Sequence, residues 1–196
     1  MQISNETPNV QLKYPIFGNF IGYLKLEISF IRNWKLGITT MAVKKEISEA
    51  LHRITHGVYV ISAKHGKKIN AMTAAWVARA SFVPPLITVA IGKTRYSHDL
   101  IIDGGVFAVN ILGKSEIATG KHFGLTTGRK VDKFSNVSYD VKATGSPILK
   151  DAIAWLDCKV VSHYDTGDHT LFIGEVLDGG VLREEEPIVY KKDEFF

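Results

Sequence analysis

The pattern of apolar and polar positions divides the chain into a leader, one amphipathic helix and a long series of strands. In residues 44–56, Ile47, Ala50, Leu51 and Ile54 fall at helical spacing, Lys44, Lys45, Glu49 and Arg53 occupy other positions, and Gly57 follows as a stop. This predicts a helix over 44–56. Strand signals dominate after it. Residues 57–63 are rich in β-branched and aromatic side chains, His65-Gly66-Lys67-Lys68 is a hairpin turn, and residues 69–76 return. Residues 77–82 continue as strand, Val83-Pro84-Pro85 interrupts, and 86–91 is a continuous apolar run that suits a buried strand. Ser97 is expected to cap a short helix over 97–102 that Gly104 and Gly105 end. Residues 107–112 predict another buried strand and 116–123 a helix, whereas 124–145 form a polar connection without a firm element. Residues 154–163 and 169–176 pair as a hairpin across 164–168, and 181–182 and 188–190 are the last expected strands. Strands joined by hairpins, with few helices between them, specify a mainly β fold: an antiparallel β-barrel with helical inserts, not a doubly wound parallel sheet.

The leader raises a membrane question. Its longest uncharged run, Tyr14 to Leu24, has 11 residues and contains Pro15, Gly18 and Gly22. A spanning helix needs about 20 apolar residues, so no membrane association is expected. A basic start, an unbroken apolar core and a small-residue cleavage site are also missing, which argues against a secretory signal. Met41 opens a fresh pattern. Residues 1–40 therefore read as an N-terminal extension or an over-extended reading frame, ahead of a single domain over 41–196.

Composition narrows the class. Hydrophobic residues make up 45% and charged residues 22% of 196, values of a soluble globular protein that exclude extended disorder and a collagen-like fibre. The single cysteine, Cys158, removes any internal disulfide framework and fits a reducing, cytoplasmic setting; in its strand it reads as a packed small residue. The net charge is 24 − 20 = +4, half of it in the leader. No basic run with interleaved aromatics appears, so no nucleic-acid partner is expected. His52 and His56 stand at i, i+4, but Arg53 lies between them and no third ligand is obvious, so no metal site is expected. The chain has no G-x-G-x-x-G turn, no glycine-rich phosphate loop ending in Gly-Lys-Ser/Thr, and no G-x-S-x-G elbow.

Two segments do carry chemistry. Lys93-Thr94-Arg95-Tyr96-Ser97-His98 gathers cations and hydroxyls directly before a helix N-terminus, where amide N–H groups and the helix dipole favour an anion. The donor set suits a phosphomonoester; a solvated loop with a capping serine is the alternative. Asn70-Ala71-Met72-Thr73-Ala74-Ala75-Trp76 is rich in small residues for a strand. They would let a flat ligand approach the backbone, with Asn70 and Thr73 as polar contacts and Trp76 either bordering the ring or filling the core.

These residues also resemble a known family. Ile69–Trp76, Ala80-Ser81-Phe82-Val83-Pro84-Pro85-Leu86 and Arg95-Tyr96-Ser97-His98 are similar to motifs of the flavin reductase-like proteins, and more narrowly of their flavoredoxin-like branch. Phe107-Ala108-Val109-Asn110-Ile111-Leu112, Gly128-Arg129-Lys130-Val131-Asp132-Lys133-Phe134 and Gly167-Asp168-His169-Thr170 follow in the family's order. The resemblance runs from about Lys45 to Tyr190 and leaves the leader outside.

The resemblance implies an FMN-binding split barrel that forms a homodimer, with FMN near the subunit interface. Its implied flavin contacts are Asn70, Ala71, Met72, Thr73, Ala74 and Trp76, then Ser81, then Lys93, Arg95, Tyr96 and Ser97 around the phosphate. Arg129, Lys133 and Phe134 are implied to approach the flavin ring, and His169 to lie near flavin or nicotinamide. The implied activity is transfer of electrons from NADH or NADPH through FMN to a flavin or an electron-acceptor protein. One departure stands out: Ala75-Trp76 replaces the Asn-Ser of the two-component reductases. That favours the alternative of an electron carrier that retains its FMN and is reduced by a partner protein.

Overall fold

The computed structural model describes residues 43–191, so the expectation for residues 1–40 lies outside the described residues. The chain divides into two compact units at Leu51/His52. Of the first, the described part contains helix α1 (Lys45–Leu51), which carries an i, i+4 ion pair of Lys45 with Glu49 at 3.8 Å. This helix is shorter than the sequence pattern predicts. The chain beyond it is drawn into extended pairing: Gly57 bridges Val189, Val58 N–H donates to the Ile188 carbonyl at 3.2 Å, and Tyr190 N–H to the His56 carbonyl at 2.7 Å.

The second unit is built on one seven-stranded antiparallel sheet. Its strands are β1 (Tyr59–His65), β2 (Lys68–Ala74), β3 (Val77–Ser81), β4 (Leu86–Gly92), β5 (Val106–Ile111), β8 (Ala154–Thr166) and β9 (His169–Val181), in the order β2-β1-β5-β8-β9-β4-β3. A small second sheet pairs β6 (Tyr139–Val141) with β7 (Pro147–Leu149). Helices α2 (Tyr96–Gly104) and α3 (Ile117–Leu125) are the inserts. The edge strands β2 and β3 are consecutive in the chain, joined by Ala75-Trp76, yet they do not pair. The sheet is therefore split and not closed. Register shifts at Arg79/Ser81, Asp157/Cys158 and Val160/Ser162 add the local bends that curl such a sheet.

Two hairpins have two-residue loops, Gly66-Lys67 and Gly167-Asp168, with glycine at φ 58° and 76°. Positive φ at such a loop position matches the strand twist and favours glycine.

Period-two alternation explains why the central strands read as unbroken apolar runs. On β1, Ile61 and Ala63 face a core with Val89, Ile91, Phe107, Cys158 and Phe172, while Val60 faces a second core with Leu112, Phe123, Phe134 and Leu149. Helix α2 adds Leu100 and Ile101 to the first core, and α3 adds Phe123 to the second. Phe107, Phe123 and Phe172 are fully buried, each stabilising the fold by about 1.5–3 kcal/mol through apolar burial. Cys158 is buried, and its thiol is pushed up to about 12 by desolvation and then by the Asp157 carboxylate.

Three local expectations are corrected. Arg95, not Ser97, holds the N-cap position of α2; Ser97 sits inside the first turn, where its hydroxyl accepts a bond from another strand. The polar connection 124–145 contains β6, which has three exposed residues and gives almost no apolar signal. Residues 187–189 form isolated bridges, and Val181 is the end of β9 rather than a separate strand.

Candidate functional site

A cavity opens where β2, the N-terminus of α2 and the loop after α3 meet. It is lined by Asn70, Met72 and Thr73 from β2, by Thr94, Arg95, Tyr96 and Ser97 at the β4–α2 corner, and by Phe123, Gly124, Thr126, Thr127, Gly128 and Lys133. The corner is set by the backbone. Lys93 N–H donates to the Asp168 carbonyl (3.0 Å), Arg95 N–H to that of Gly92 (2.9 Å) and His98 N–H to that of Arg95 (3.0 Å). His98 N–H thus already closes the first turn of α2, and the amides of Tyr96 and Ser97 are the ones left without an intrahelical acceptor.

Side chains lock the three elements together. Asn70, almost fully buried, donates through Nδ2 to Ser97 Oγ at 2.8 Å. Ser97 accepts there, so its own O–H remains a donor for whatever fills the cavity. Thr73 Oγ1 donates to the Gly120 carbonyl of α3 at 2.6 Å. Gly128 packs so closely on Asn70 that a Cβ there would lie 2.0 Å from Oδ1.

The electrostatics are one-sided. Lys133 is 4% exposed, and its Nζ donates to the carbonyls of Ala71 (3.0 Å) and Phe123 (2.9 Å). Burial, and then the nearby Arg95 guanidinium, lower its pKa to about 8. Among the described residues neither cation has a carboxylate partner within ion-pair distance, and no carboxylate lines the cavity. Two cations, the hydroxyls of Thr94, Ser97 and Thr127, and a helix N-terminus are a donor set for anionic oxygens, whereas the Thr126 hydroxyl donates to the His122 carbonyl at 2.9 Å. The enclosed volume is about 100 Å³, below the ~300–1,000 Å³ of sites that enclose a drug-sized ligand. The cavity can hold one anionic end of an elongated ligand.

A second group borders it. A Cβ on Gly92 would lie 3.6 Å from both Arg95 Cγ and His169 Nε2, so arginine stem and imidazole flank the same glycine. The His169 ring packs on Trp76 with centroids 4.7 Å apart and planes at 43°. Its Nδ1 bonds the Asp168 carboxylate at 2.8 Å, which holds that carboxyl below its usual range. With Nδ1–H donated to Asp168, the neutral ring presents Nε2 as an acceptor. Trp76 is 52% exposed, so it does not fill the core.

The sequence-derived residues thus sort by position. Asn70, Met72, Thr73, Arg95, Tyr96, Ser97 and Lys133 converge on the cavity, while Trp76 and His169 pair outside its lining, His169 across Gly92 from Arg95. Others lie elsewhere. Lys93 pairs with Asp165 at 3.3 Å, and Arg129 pairs with Asp99 at 2.6 Å while lying over the Tyr96 ring. Ala71 is fully buried and offers its carbonyl to Lys133; Ala74 packs on the first core. Phe134 is buried against Phe123 and Tyr139, and Ser81 sits at the β3 bulge, outside the cavity lining. Thr126 and Thr127 were missed by sequence reasoning. Their signal is two adjacent hydroxyls between Gly124 and Gly128.

Known proteins share this architecture. An NADH:FAD oxidoreductase of Streptomyces globisporus C-1027 superposes with a TM-score of 0.69 at 27% identity, covering 76% of this chain and 90% of that one. A flavoredoxin from Methanosarcina acetivorans gives 0.62 at 26% identity, covering 65% and 69%. Among curated relatives, the high molecular weight rubredoxin of Moorella thermoacetica is 35% identical over 145 residues, 73% of this chain and 63% of the relative. Diflavin flavoprotein A 1 of Synechocystis sp. is 38% identical over 146 residues, 74% of this chain and 25% of that protein. The chain thus spans between a quarter and just under two thirds of these curated relatives. The flavin reductase like domain matches residues 51–196, and the chain belongs to that family.

Proposed function

We propose that the chain is an FMN-dependent oxidoreductase that takes electrons from NADH or NADPH and passes them to a flavin or a protein acceptor. The observation that carries this reading is the convergence of Arg95 and Lys133, without a carboxylate, on a cavity sized for a phosphate. The donor set fits the phosphate end of FMN. Arg95, Lys133 and the Thr94, Ser97 and Thr127 hydroxyls would hold it, with Tyr96 beside them. The small residues of β2 would leave room for the ring system along the strand. Bound FMN supplies the capacity to accept a hydride from a nicotinamide and to release electrons onward.

The chain's own residues position and polarise. Asn70 fixes Ser97, and thereby the start of α2. His169, held by Asp168 and packed against Trp76 with its Nε2 beside Gly92, would meet a nicotinamide through that nitrogen. The cations stabilise negative charge that builds up nearby. Because the cavity encloses only one end of such a ligand, a homodimer in which a second copy covers the remainder is part of this reading. The exposed apolar residues Trp76, Phe82 and Val83 beside the β2–β3 split support it. Among the described residues no helix is long and apolar enough to cross a membrane; a cytoplasmic location belongs to the same proposal.

A second reading, a carrier that retains FMN and is reduced by a partner protein, is favoured by Ala75-Trp76 and by the flavoredoxin neighbour. It predicts sluggish direct reduction by either nucleotide. The binding claim is tested by Arg95→Ala. Losing a charge-assisted bond to phosphate costs about 1.5–3 kcal/mol, roughly tenfold to a hundredfold in FMN affinity. Riboflavin, which lacks the phosphate, should bind unchanged. Equal losses for both in a fluorescence titration would make Arg95 structural and remove the main support for the phosphate site.

A further inference from the structure

We propose that Lys133 is an acylation site for small acyl phosphates, whose phosphate end would sit on Arg95 and its neighbouring hydroxyls while their carbonyl carbon meets the Lys133 amine. The proposal rests on the anion-binding reading of the cavity, but not on flavin.

The geometry of the amine is its basis. A lysine nitrogen has three positions beyond its own carbon. In Lys133 two are taken by backbone carbonyls, Ala71 on β2 and Phe123 on α3. The Phe123 ring centroid lies 6.0 Å from Nζ; the residue is buried and lines the cavity, and we take the third position to face a ligand held there. As an ammonium, the group donates its third N–H there. As a neutral amine, it keeps both N–H groups on the carbonyls, and the lone pair takes the third position. A fixed, aimed lone pair is what a nucleophilic lysine requires.

The surrounding charges favour that form. Arg95, at the β4–α2 corner, is a cation. The Asp132 carboxylate is turned to the Phe134 N–H at 2.8 Å, and His122 of α3 bonds the Lys133 backbone carbonyl at 2.9 Å. With its pKa at about 8, Lys133 is half neutral near that pH.

In the step itself the amine attacks the acyl carbon. An N–C bond forms and the C–O bond to phosphorus breaks. The phosphate leaves with the bonding electron pair, and the amine proton passes to it. Arg95 neutralises the phosphate on arrival and on departure. The product is an uncharged amide that removes one of the two cations and fills the cavity, so acylation would lower the occupancy of any anionic ligand.

The test uses the full apo chain with acetyl phosphate at pH 8, with site-resolved rates from peptide mass spectrometry. The neutral fraction of Lys133 exceeds that of an exposed lysine by about a hundredfold. A Brønsted slope of about 0.4–0.5, as for thiolates, takes back about tenfold. Lys133 should therefore acetylate about tenfold faster than exposed Lys121 and Lys130. Inorganic phosphate should protect it, Arg95→Ala should weaken the preference without removing the part that burial supplies, and Arg95→Lys should restore part of the loss. A Lys133 that stays unmodified, or reacts no faster than Lys121 and Lys130, overturns the proposal. Phosphate binding followed in parallel by ³¹P NMR separates the two claims: binding with an inert Lys133 defeats acylation alone, and no binding defeats the anion site as well.

Discussion

Lys133→Met isolates the most unusual group in the cavity. Methionine keeps the apolar body of the side chain and removes the charge together with the two bonds to the Ala71 and Phe123 carbonyls. In the native protein the Lys133 pKa falls from 10.5 to about 8, so folding disfavours its protonated form. Below pH 8 both folded and unfolded chains carry the proton, and the full cost of the buried charge is present. Between pH 8 and 10.5 the unfolded chain binds a proton that the native one does not, so stability rises with pH there. A shift of this size corresponds to about 2.5 kcal/mol gained between pH 7 and pH 10. Urea denaturation of the apo protein at one-unit pH intervals reads it as the difference between wild type and Lys133→Met. Burial raises the Tyr59 hydroxyl, but that group titrates in both proteins and cancels. The same proton governs the ligand: FMN should lose its advantage over riboflavin as pH climbs through 8 in wild type, and show no such step in the variant. Stability curves that run parallel from pH 7 to 10 would refute a desolvated amine at this site.

Three further outcomes follow from the structure. His169→Ala removes the ring packed against Trp76 and should raise the NADH or NADPH concentration needed for reduction by an amount within about 1–3 kcal/mol, with FMN affinity nearly unchanged; a collapse of FMN affinity instead would make His169 a flavin ligand. Gly128→Ala places a Cβ on Asn70 Oδ1 and should cost about 1–3 kcal/mol of stability by overpacking, read by thermal melting; an unchanged melting temperature would mean that the loop yields freely. Cys158 should resist thiol reagents in the native protein and react promptly in urea, because its thiol is buried and pushed up to about 12; rapid native labelling would contradict its packing.

Much of the fold is legible in the chain because it is written locally. The loops at Gly66 and Gly167, the apolar runs of β4 and β5, and the long β8–β9 hairpin each follow from residues close in sequence. What escapes is set at a distance. The α1 segment ends early because residues 56–58 are claimed by residues 188–190, more than a hundred positions away. Strand β6 exists because Pro147–Leu149 lies beside it, not because three exposed residues demand it. The candidate site shows the same division. Arg95 and Ser97 announce themselves beside a helix start, and Asn70 beside small residues. That Lys93 and Arg129 spend their charge on Asp165 and Asp99, while Lys133 turns inward onto two carbonyls, depends on tertiary placement. Phe134, which the resemblance alone implies as a flavin contact, is buried against Phe123 and Tyr139.

The most direct measurement mixes the FMN-loaded full chain with NADH and, separately, with NADPH under anaerobic conditions while the visible flavin absorbance is followed. The account predicts bleaching by at least one nucleotide, and recovery of the absorbance when an acceptor is admitted. A flavin that stays oxidised with both donors, yet bleaches with a chemical reductant, would contradict nicotinamide-driven reduction.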